Sequence, residues 1–476
     1  MSEDLSPPWE ESYSGELVAE VETPKTDSHL RATITLSDQQ ASAVKSFKHW
    51  FHSPSVPKWN PDGSANFFLF NGYAGTGKTT VLPFFIDESG LNFDQVLFVA
   101  PTGKASKVMA KKLFAQGVRA DCSTIHRAIY RPQAMKAFMI ERDLEEVQTA
   151  LGIARREGDG DMIKELARRE KQLRKDLDRA YDEAAPKFQL NSEANLTEKY
   201  SLIVVDECSM VGEEMADDIL SFGVPVLAIG DPFQLQPVGD PPGFCNRGAD
   251  AALTEVHRQA ADNPIIWASM QVRAGKALQL GSHGDGQLRV LTRKQDDVTF
   301  DIERDVQILV GTHQKRWQIT REIRKLSGLH LEGPAAGEIM ICNKNSRKYP
   351  NLVNGTMLMV EDDVGKLKSG DVTFEMKVRD EDGNLYECSC IQAVIEEHYL
   401  GKNESTAPKP VVFKAKQQRG NDQIDFGYAI TVHKSQGSQW NDVCLHDESR
   451  VFRDQADQHL YTGITRAAET LTVIVP

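Results

Sequence analysis

The segment Gly72-Tyr73-Ala74-Gly75-Thr76-Gly77-Lys78-Thr79 decides how this chain folds. It matches the pattern G-x-x-x-x-G-K-[ST]. The apolar run Phe67 to Phe70 stands before it and a helix start follows, which is the context that gives the pattern meaning. Glycines at 72, 75 and 77 let backbone N–H groups curl around phosphate, and the helix start adds positive potential. Lys78 is then expected at the β- and γ-phosphates and the Thr79 hydroxyl on Mg²⁺, with Thr76 and Thr80 in the same cradle. A second apolar run, Leu202 to Val205, ends in Asp206-Glu207. A carboxylate at a strand tip beside a phosphate loop suits Mg²⁺, and its neighbour suits activation of the attacking water. Asp206 is therefore expected on the metal and Glu207 as general base, with ATP and Mg²⁺ as cofactors.

Outward from this segment the same strand–loop–helix texture repeats. QVLFVAPTGKASKVMAKKLF (95–114) has it, and SLIVVDECSM (201–210) and VPVLAIGDPFQL (224–235) are apolar strands ending in polar residues. Such alternation implies a parallel α/β sheet with its functional loops at the strand carboxyl ends. LSDQQASAVKSFKHWF (36–51) reads as a helix capped by Ser37 or Asp38 that buries Ala43, Val44 and Phe47. Residues 131–186 differ. They are dominated by charge, with Leu166, Leu173, Leu177 and Tyr181 at helical spacing and a turn at Gly158–Asp161. This predicts an inserted helical hairpin or short coiled coil, either a solvated arm or a working element. Residues 337–423 hold short β-like runs (EIMICN, TMLMVED, VTFEMKV, LYECSCIQAVI, PVVFKAK) separated by turn residues, which predicts a small β-barrel inserted in a second α/β unit. FGYAITVHKSQG (426–437) resumes the α/β texture and LTVIVP (471–476) ends it. The expected organisation is a flexible acidic tail (1–32), a first α/β domain (33–250) and a second (251–476).

The chain has 476 residues, 40% of them hydrophobic and 26% charged, which fits globular domains with real cores. No apolar run approaches the length of a membrane span. The acidic start lacks the basic-then-apolar order of a signal peptide, and the seven cysteines show neither metal spacing nor a secreted disulfide framework. Cys388 and Cys390 alternate within a strand-like run and read as strand residues. A cytoplasmic, reducing compartment in a bacterium or phage-infected host is expected. The net charge of −14 weighs against nucleic acid, but a large motor needs only a local basic groove.

Further motifs follow in order. They are LSDQQ, APTGKAS (100–106), STIHR (123–127), DECSM (206–210), GDPFQLQPV (230–238), LTEVHRQ (253–259), FGYAITVHKSQGSQW (426–440) and YTGITRA (461–467). The set resembles that of superfamily 1 helicases, in the branch of RecD-like and phage Dda-like enzymes. The resemblance implies two RecA-like domains, an SH3-like fold for the β insertion, and ATP bound in the cleft between the domains. It implies an ATP-dependent DNA helicase moving 5′ to 3′ on single strands, with single-stranded and forked DNA as partners. Gln40 would read the adenine, Gly437 would lie on the nucleotide, Gln234 would sense the γ-phosphate, and Arg258 and Arg466 would be the arginines of the site. Cys208 stands where the family usually has Ala, and Gln439 stands where the 3′-to-5′ branch often has Glu, so a ribose-binding carboxylate is not assigned.

These residue types suit their roles. Arg258 and Arg466 are permanently charged donors fit for charge spreading over γ-phosphoryl oxygens, with a structural ion pair as the competing reading. Thr102, Ser106, Ser123, Thr124, His126, Thr431, His433 and Lys434 are small polar or basic residues at strand ends, able to track a phosphate backbone without reading sequence. Helix capping is the competing reading for them. In Dda-like relatives the element matching 131–186 is a β-hairpin, so this chain's wedge is expected to be built differently. The hairpin or the tail could recruit replication or recombination proteins. A translocase or scaffold that displaces or recruits proteins on DNA is the alternative function.

Overall fold

The computed structural model describes residues 35–55, 57–60, 62–132, 135–157, 159–183, 188–191, 194–237, 239–255, 263–292, 306–329, 333–346, 348–368, 371–396, 398 and 421–476. The expected tail, the run PVVFKAK and Arg258 lie outside these residues.

Helix α1 (Asp38–His52) opens the described chain. Ser37 caps it in a capping box with Gln40, and Phe47 packs edge-on against Phe68 and Phe85. Then come β1 (Phe67–Gly72), α2 (Lys78–Ser89), β2 (Val96–Ala100), α3 (Gly103–Ala115), β3 (Asp121–Thr124) and α4 (Ile125–Ile129). β4 (Tyr130–Pro132) and β5 (Phe188–Leu190) pair antiparallel, and between them run two helices packed on each other, α5 (Met135–Glu157) and α6 (Gly160–Glu183). β6 (Leu202–Val205), α7 (Glu213–Ser221), β7 (Val226–Gly230) and β8 (Ala251–Leu253) complete the first half. Its sheet runs β3-β2-β6-β7-β1-β8, with every pairing parallel. β2, β6 and β7 are buried throughout, as strands covered on both faces must be.

The second half adds α8 (Pro264–Arg273), β9 (Gly281–His283), β10 (Leu288–Thr292), β11 (Val306–Val310) and α9 (His313–Leu326). After β12 (Ile339–Cys342), β13 (Met357–Val360), β14 (Thr373–Asp380), β15 (Leu385–Ile391) and β16 (Ile424–Phe426), it returns through β17 (Ala429–Thr431), α10 (Val432–Ser435), β18 (Trp440–His446), α11 (Ala456–Ile464) and β19 (Ala467–Val475). The second six-stranded sheet runs β17-β11-β18-β19-β10-β9, parallel except at the β9 edge. β15-β14-β13-β12-β16 form an antiparallel sheet whose ends meet through a bridge between Cys390 and Asp422, so it curls toward a barrel. Cys388 and Cys390 are buried on its inner face.

Three expectations are corrected by the structure. The boundary expected at residue 250 falls one strand early, because β8 pairs with β1 in the first sheet. A three-residue strand carries too little pattern to be seen in sequence. The antiparallel sheet extends past residue 423 to include β16, which pairs with β12. The run LYECSCIQAVI is a strand only to Ile391 and then turns into a short helix, Gln392–Glu396.

The antiparallel unit is held to the second sheet through buried ion pairs. Arg324 Nε donates to Glu338 Oε1 at 2.7 Å and Arg316 Nη1 to Asp425 Oδ2 at 2.5 Å, while within the unit His398 Nε2 donates to Asp425 Oδ1 at 2.6 Å. Its contacts with α3 of the first half are of another kind. Lys111 pairs with Asp382 at 2.8 Å and Lys104 with Glu381 at 3.4 Å, and Lys107 donates to the Asn351 carbonyl at 2.7 Å. The two surfaces are close enough that a Cβ at Gly103 would stand 2.6 Å from Val353 Cβ.

Candidate nucleotide cleft and strand-binding surface

The glycines of the phosphate loop answer specific backbone demands. Gly75 and Gly77 have φ of 76° and 81°, where any side chain is strained. A Cβ at Gly72 would stand 2.7 Å from Lys78 Cγ. Gly77 is the N-cap of α2, so Lys78, Thr79 and Thr80 fill the first turn, where helical N–H groups lack internal partners. Lys78 Nζ donates to the carbonyls of Gly72 (2.5 Å) and Tyr73 (3.2 Å) and lies 4.0 Å from Asp231 Oδ2. Gln40 is buried and reaches the loop from α1: its Oε1 accepts from Ser37 N–H and its Nε2 donates to the Thr76 carbonyl at 3.3 Å.

A cleft of about 510 Å³ gathers these parts. From the first half it is lined by Gly75, Gly77, Lys78, Thr79 and Thr80, together with Asp206, Glu207 and Gln234. From the second half come Gly437 and Arg466. Gly72, Thr76 and Gln40 do not line the cleft wall. Burial first, and the adjacent Glu207 second, push the Asp206 carboxyl up to about 6. Glu207 takes up φ 52°, an uncommon backbone for a non-glycine residue. Cys208 is buried beneath Gly230, where a Cβ would stand 2.7 Å from its sulfur.

Arg466 is buried, and burial lowers its pKa. Its guanidinium donates to the carbonyls of Thr462 (3.0 Å) and Ser438 (3.2 Å) and to the Thr465 hydroxyl (3.0 Å). Among the described residues it makes no ion pair, though the charges of Glu207 and Asp231 act on it. Gly437 has φ 74°, and a Cβ there would come within 2.8 Å of Ala105 Cβ on α3.

The structure also reveals a link that the sequence reading omits. Ala74 N–H in the phosphate loop donates to the Tyr461 hydroxyl at 2.9 Å, and that hydroxyl donates to Asp231 Oδ2 at 2.7 Å. Burial raises the pKa of both Asp231 and Tyr461. Leu235 N–H donates to Thr462 Oγ1 and Gln436 Nε2 to the Leu235 carbonyl, each at 3.0 Å, so the segment bearing Gln234 is fastened to the second half. Arg273 lies over the Tyr73 ring, 3.6 Å from its centroid. Asp231 and Tyr461 stood inside quoted motifs; Arg273 carried no signal.

The proposed strand-tracking residues share the carboxyl edge of the sheets but differ in setting. Thr102, Thr124 and Thr431 each cap the helix that follows them, accepting from Ala105, Arg127 and Lys434 N–H. Ser123 lies in β3, and Ser106 is buried in α3. Burial lowers the pKa of His126 and of His433, whose ring packs beside Phe452. Lys434 donates to Asn343 (2.6 Å) and Asn354 (3.2 Å) near the antiparallel sheet, and burial pulls its pKa down to about 8. The first sheet thus divides its edge: β1, β6 and β7 feed the cleft, and β2 and β3 carry Thr102 and Thr124.

Residues 62–290 match the AAA domain family and residues 426–474 the UvrD-like helicase C-terminal domain family. The ATP-dependent RecD2 DNA helicase of Deinococcus radiodurans is 28% identical over 298 residues. The chain is thus similar to a helicase family at its carboxyl end and to a DNA helicase over more than half its length. The match to the RecD2 relative takes in 57% of this chain and 36% of that longer protein. Among solved structures, the Pif1 helicase from Candida albicans is similar at TM-score 0.45 and 16% identity, over 93% of this chain and 94% of that one. Bacteroides Pif1 bound to single-stranded DNA is similar at TM-score 0.41 and 14% identity, over 93% and 95%. At these scores the fold of the chain rests on its own sheet topology.

Proposed function

We propose that this chain is an ATP-driven motor that binds single-stranded DNA, moves along it 5′ to 3′ and opens the duplex ahead. One observation carries the reading: a single cleft is walled by the phosphate loop, Asp206 and Glu207 from one sheet and by Gly437 and Arg466 from the other. A nucleotide held there touches both halves, so its binding and hydrolysis would close and open the cleft. The two six-stranded sheets are read as RecA-like domains and the antiparallel sheet as an SH3-like insertion.

The chain's own groups have defined tasks in this reading. The first-turn N–H groups of α2 and Lys78 hold the β- and γ-phosphates, which requires Lys78 to exchange its loop carbonyls for phosphate oxygens. Thr79 and Asp206 offer hard oxygen donors, and the raised pKa of Asp206 marks a desolvated carboxylate that a cation would satisfy. Mg²⁺ bound by them would neutralise phosphate charge. Glu207 takes the proton of the attacking water. Arg466, held by two carbonyls and a hydroxyl, is free to donate to transferring oxygens. Gln234 and the Tyr461–Asp231 link relay the state of the phosphate loop to the second half. Capping does not compete with strand binding at Thr102, Thr124 and Thr431, because the cap uses an oxygen lone pair and a phosphate would take the O–H.

ATPase and unwinding assays on 5′-tailed, 3′-tailed and RNA-tailed duplexes test class, polarity and substrate together. Turnover stimulated by single-stranded DNA, with unwinding of the 5′-tailed duplex, is expected. An ATPase that single strands leave unchanged would sink the motor reading. Unwinding that survives Lys78→Ala or Glu207→Gln would sink the site assignment.

A further inference from the structure

The two helices of the hairpin α5–α6 differ in how they carry charge. From Lys164 to Lys175 there are six cations and two carboxylates, in a chain of net charge −14. Lys164, Arg168, Lys171 and Lys175 are spaced by four, three and four residues, which puts them on one side of α6. All four are exposed, whereas Leu166 and Leu173 on the opposite side are half-buried and Leu177 is buried. Among the described residues Arg168, Lys171 and Lys175 make no ion pair; Lys164 lies 3.6 Å from Asp161.

The neighbouring helix supplies the contrast. The outward side of α5 presents Arg142, Glu146, Thr149, Ile153 and Arg156, and there Arg142 stands 3.9 Å from Glu146. That is an ordinary mixed surface. A run of like charges on the helix beside it, three of the four without an ion pair among the described residues, repels itself and is stabilised by a polyanion. The stripe is about 16 Å long at about 1.5 Å per residue, roughly half a turn of duplex. It carries no aromatic residue, so it offers phosphate contacts without the stacking platforms that single strands use. The arm also leaves the sheet at β4, directly after α4, whose cap is Thr124.

We propose that the Lys164–Arg168–Lys171–Lys175 face of α6 is a binding site for the phosphate backbone of the duplex arm of a fork, holding the duplex while its strand is drawn past Thr124. This rests on the motor reading above. It assigns the hairpin to DNA rather than to a protein partner.

The test compares the parent chain with an R168A/K171A/K175A variant, by fluorescence anisotropy across a salt series. The ligands are a 5′-tailed fork and an oligo-dT strand of the tail length. The variant is expected to bind the fork at least tenfold more weakly, and its slope of log affinity against log salt should fall by about three, about one per lost phosphate contact. Its affinity for oligo-dT should match the parent. An R168K/K171R/K175R chain, which keeps the charge, should restore fork binding, and R142A/R156A on α5 should leave it unchanged. Unchanged fork affinity and slope in the triple variant would overturn the proposal and leave the face to solvent or to a protein. Equal losses on fork and oligo-dT would overturn the duplex assignment. A parent chain that fails to bind oligo-dT would strike the motor reading instead.

Discussion

The cleft and the helical hairpin are two ways of handling charge in one chain. In the cleft, Asp206, Asp231, Tyr461 and Arg466 converge from distant segments, and burial shifts the pKa of each. In the hairpin, the cations of α6 are neighbours in sequence and exposed to water. Desolvated groups interact strongly and are hard to replace singly, whereas exposed ones are screened and act only in number. The cleft should therefore be fragile to single substitutions and the hairpin indifferent to them.

The largest break in this comparison should come from Arg466→Ala. With no carboxylate left behind unpaired, the variant should keep its fold and bind nucleotide while turnover falls by about 10³ or more. Steady-state ATPase with a fluorescent-nucleotide titration reads this, and unchanged turnover would remove the transition-state role. Tyr461→Phe is next. It strips the hydroxyl from between Ala74 N–H and Asp231, leaving buried polar groups unsatisfied at about 1–3 kcal/mol. Urea denaturation should show that loss, and DNA stimulation of turnover should weaken with it. Gly437→Ala should be milder, because the strain of positive φ and the close approach to Ala105 oppose cleft closure at a cost of about 1–2 kcal/mol. A several-fold rise in KM for ATP with intact secondary structure is the expected reading. At the far end, Lys171→Ala alone should change stability by no more than about 0.5 kcal/mol and leave turnover as it was. If this single change proved as costly as Tyr461→Phe, the contrast between the regions would fail.

How much of this could be read in sequence follows the same division. β1, β2, β6 and β7 are legible because each is a short apolar run ending in a polar loop, and the loop glycines act within a few residues of Lys78. The hairpin shows itself by the helical spacing of Leu166, Leu173 and Leu177. β8 and β16 escape notice because three residues hold no period. Asp231 and Tyr461 are harder still: their bond joins positions 230 apart, and nothing local to either marks it. The capping roles of Thr102, Thr124 and Thr431 are ambiguous in sequence, since a threonine at a strand end fits both a helix cap and a phosphate contact. Arg273 over Tyr73 depends on the two halves being packed together, which single-sequence patterns do not encode.

The antiparallel unit meets its two neighbours through different materials. Toward the second sheet it is riveted by Arg324–Glu338 and Arg316–Asp425, pairs closed to solvent. Toward α3 it leans on lysine–carboxylate pairs, of which Lys111–Asp382 is open to water on both sides. A joint of the second kind is worth only about 0–1 kcal/mol per pair and weakens as salt rises. The molecule therefore has a built-in parting line, and it runs along α3 rather than beneath the barrel. When the halves separate, the antiparallel unit should travel as cargo of the second one, hinged open like a visor from a face it had been resting against.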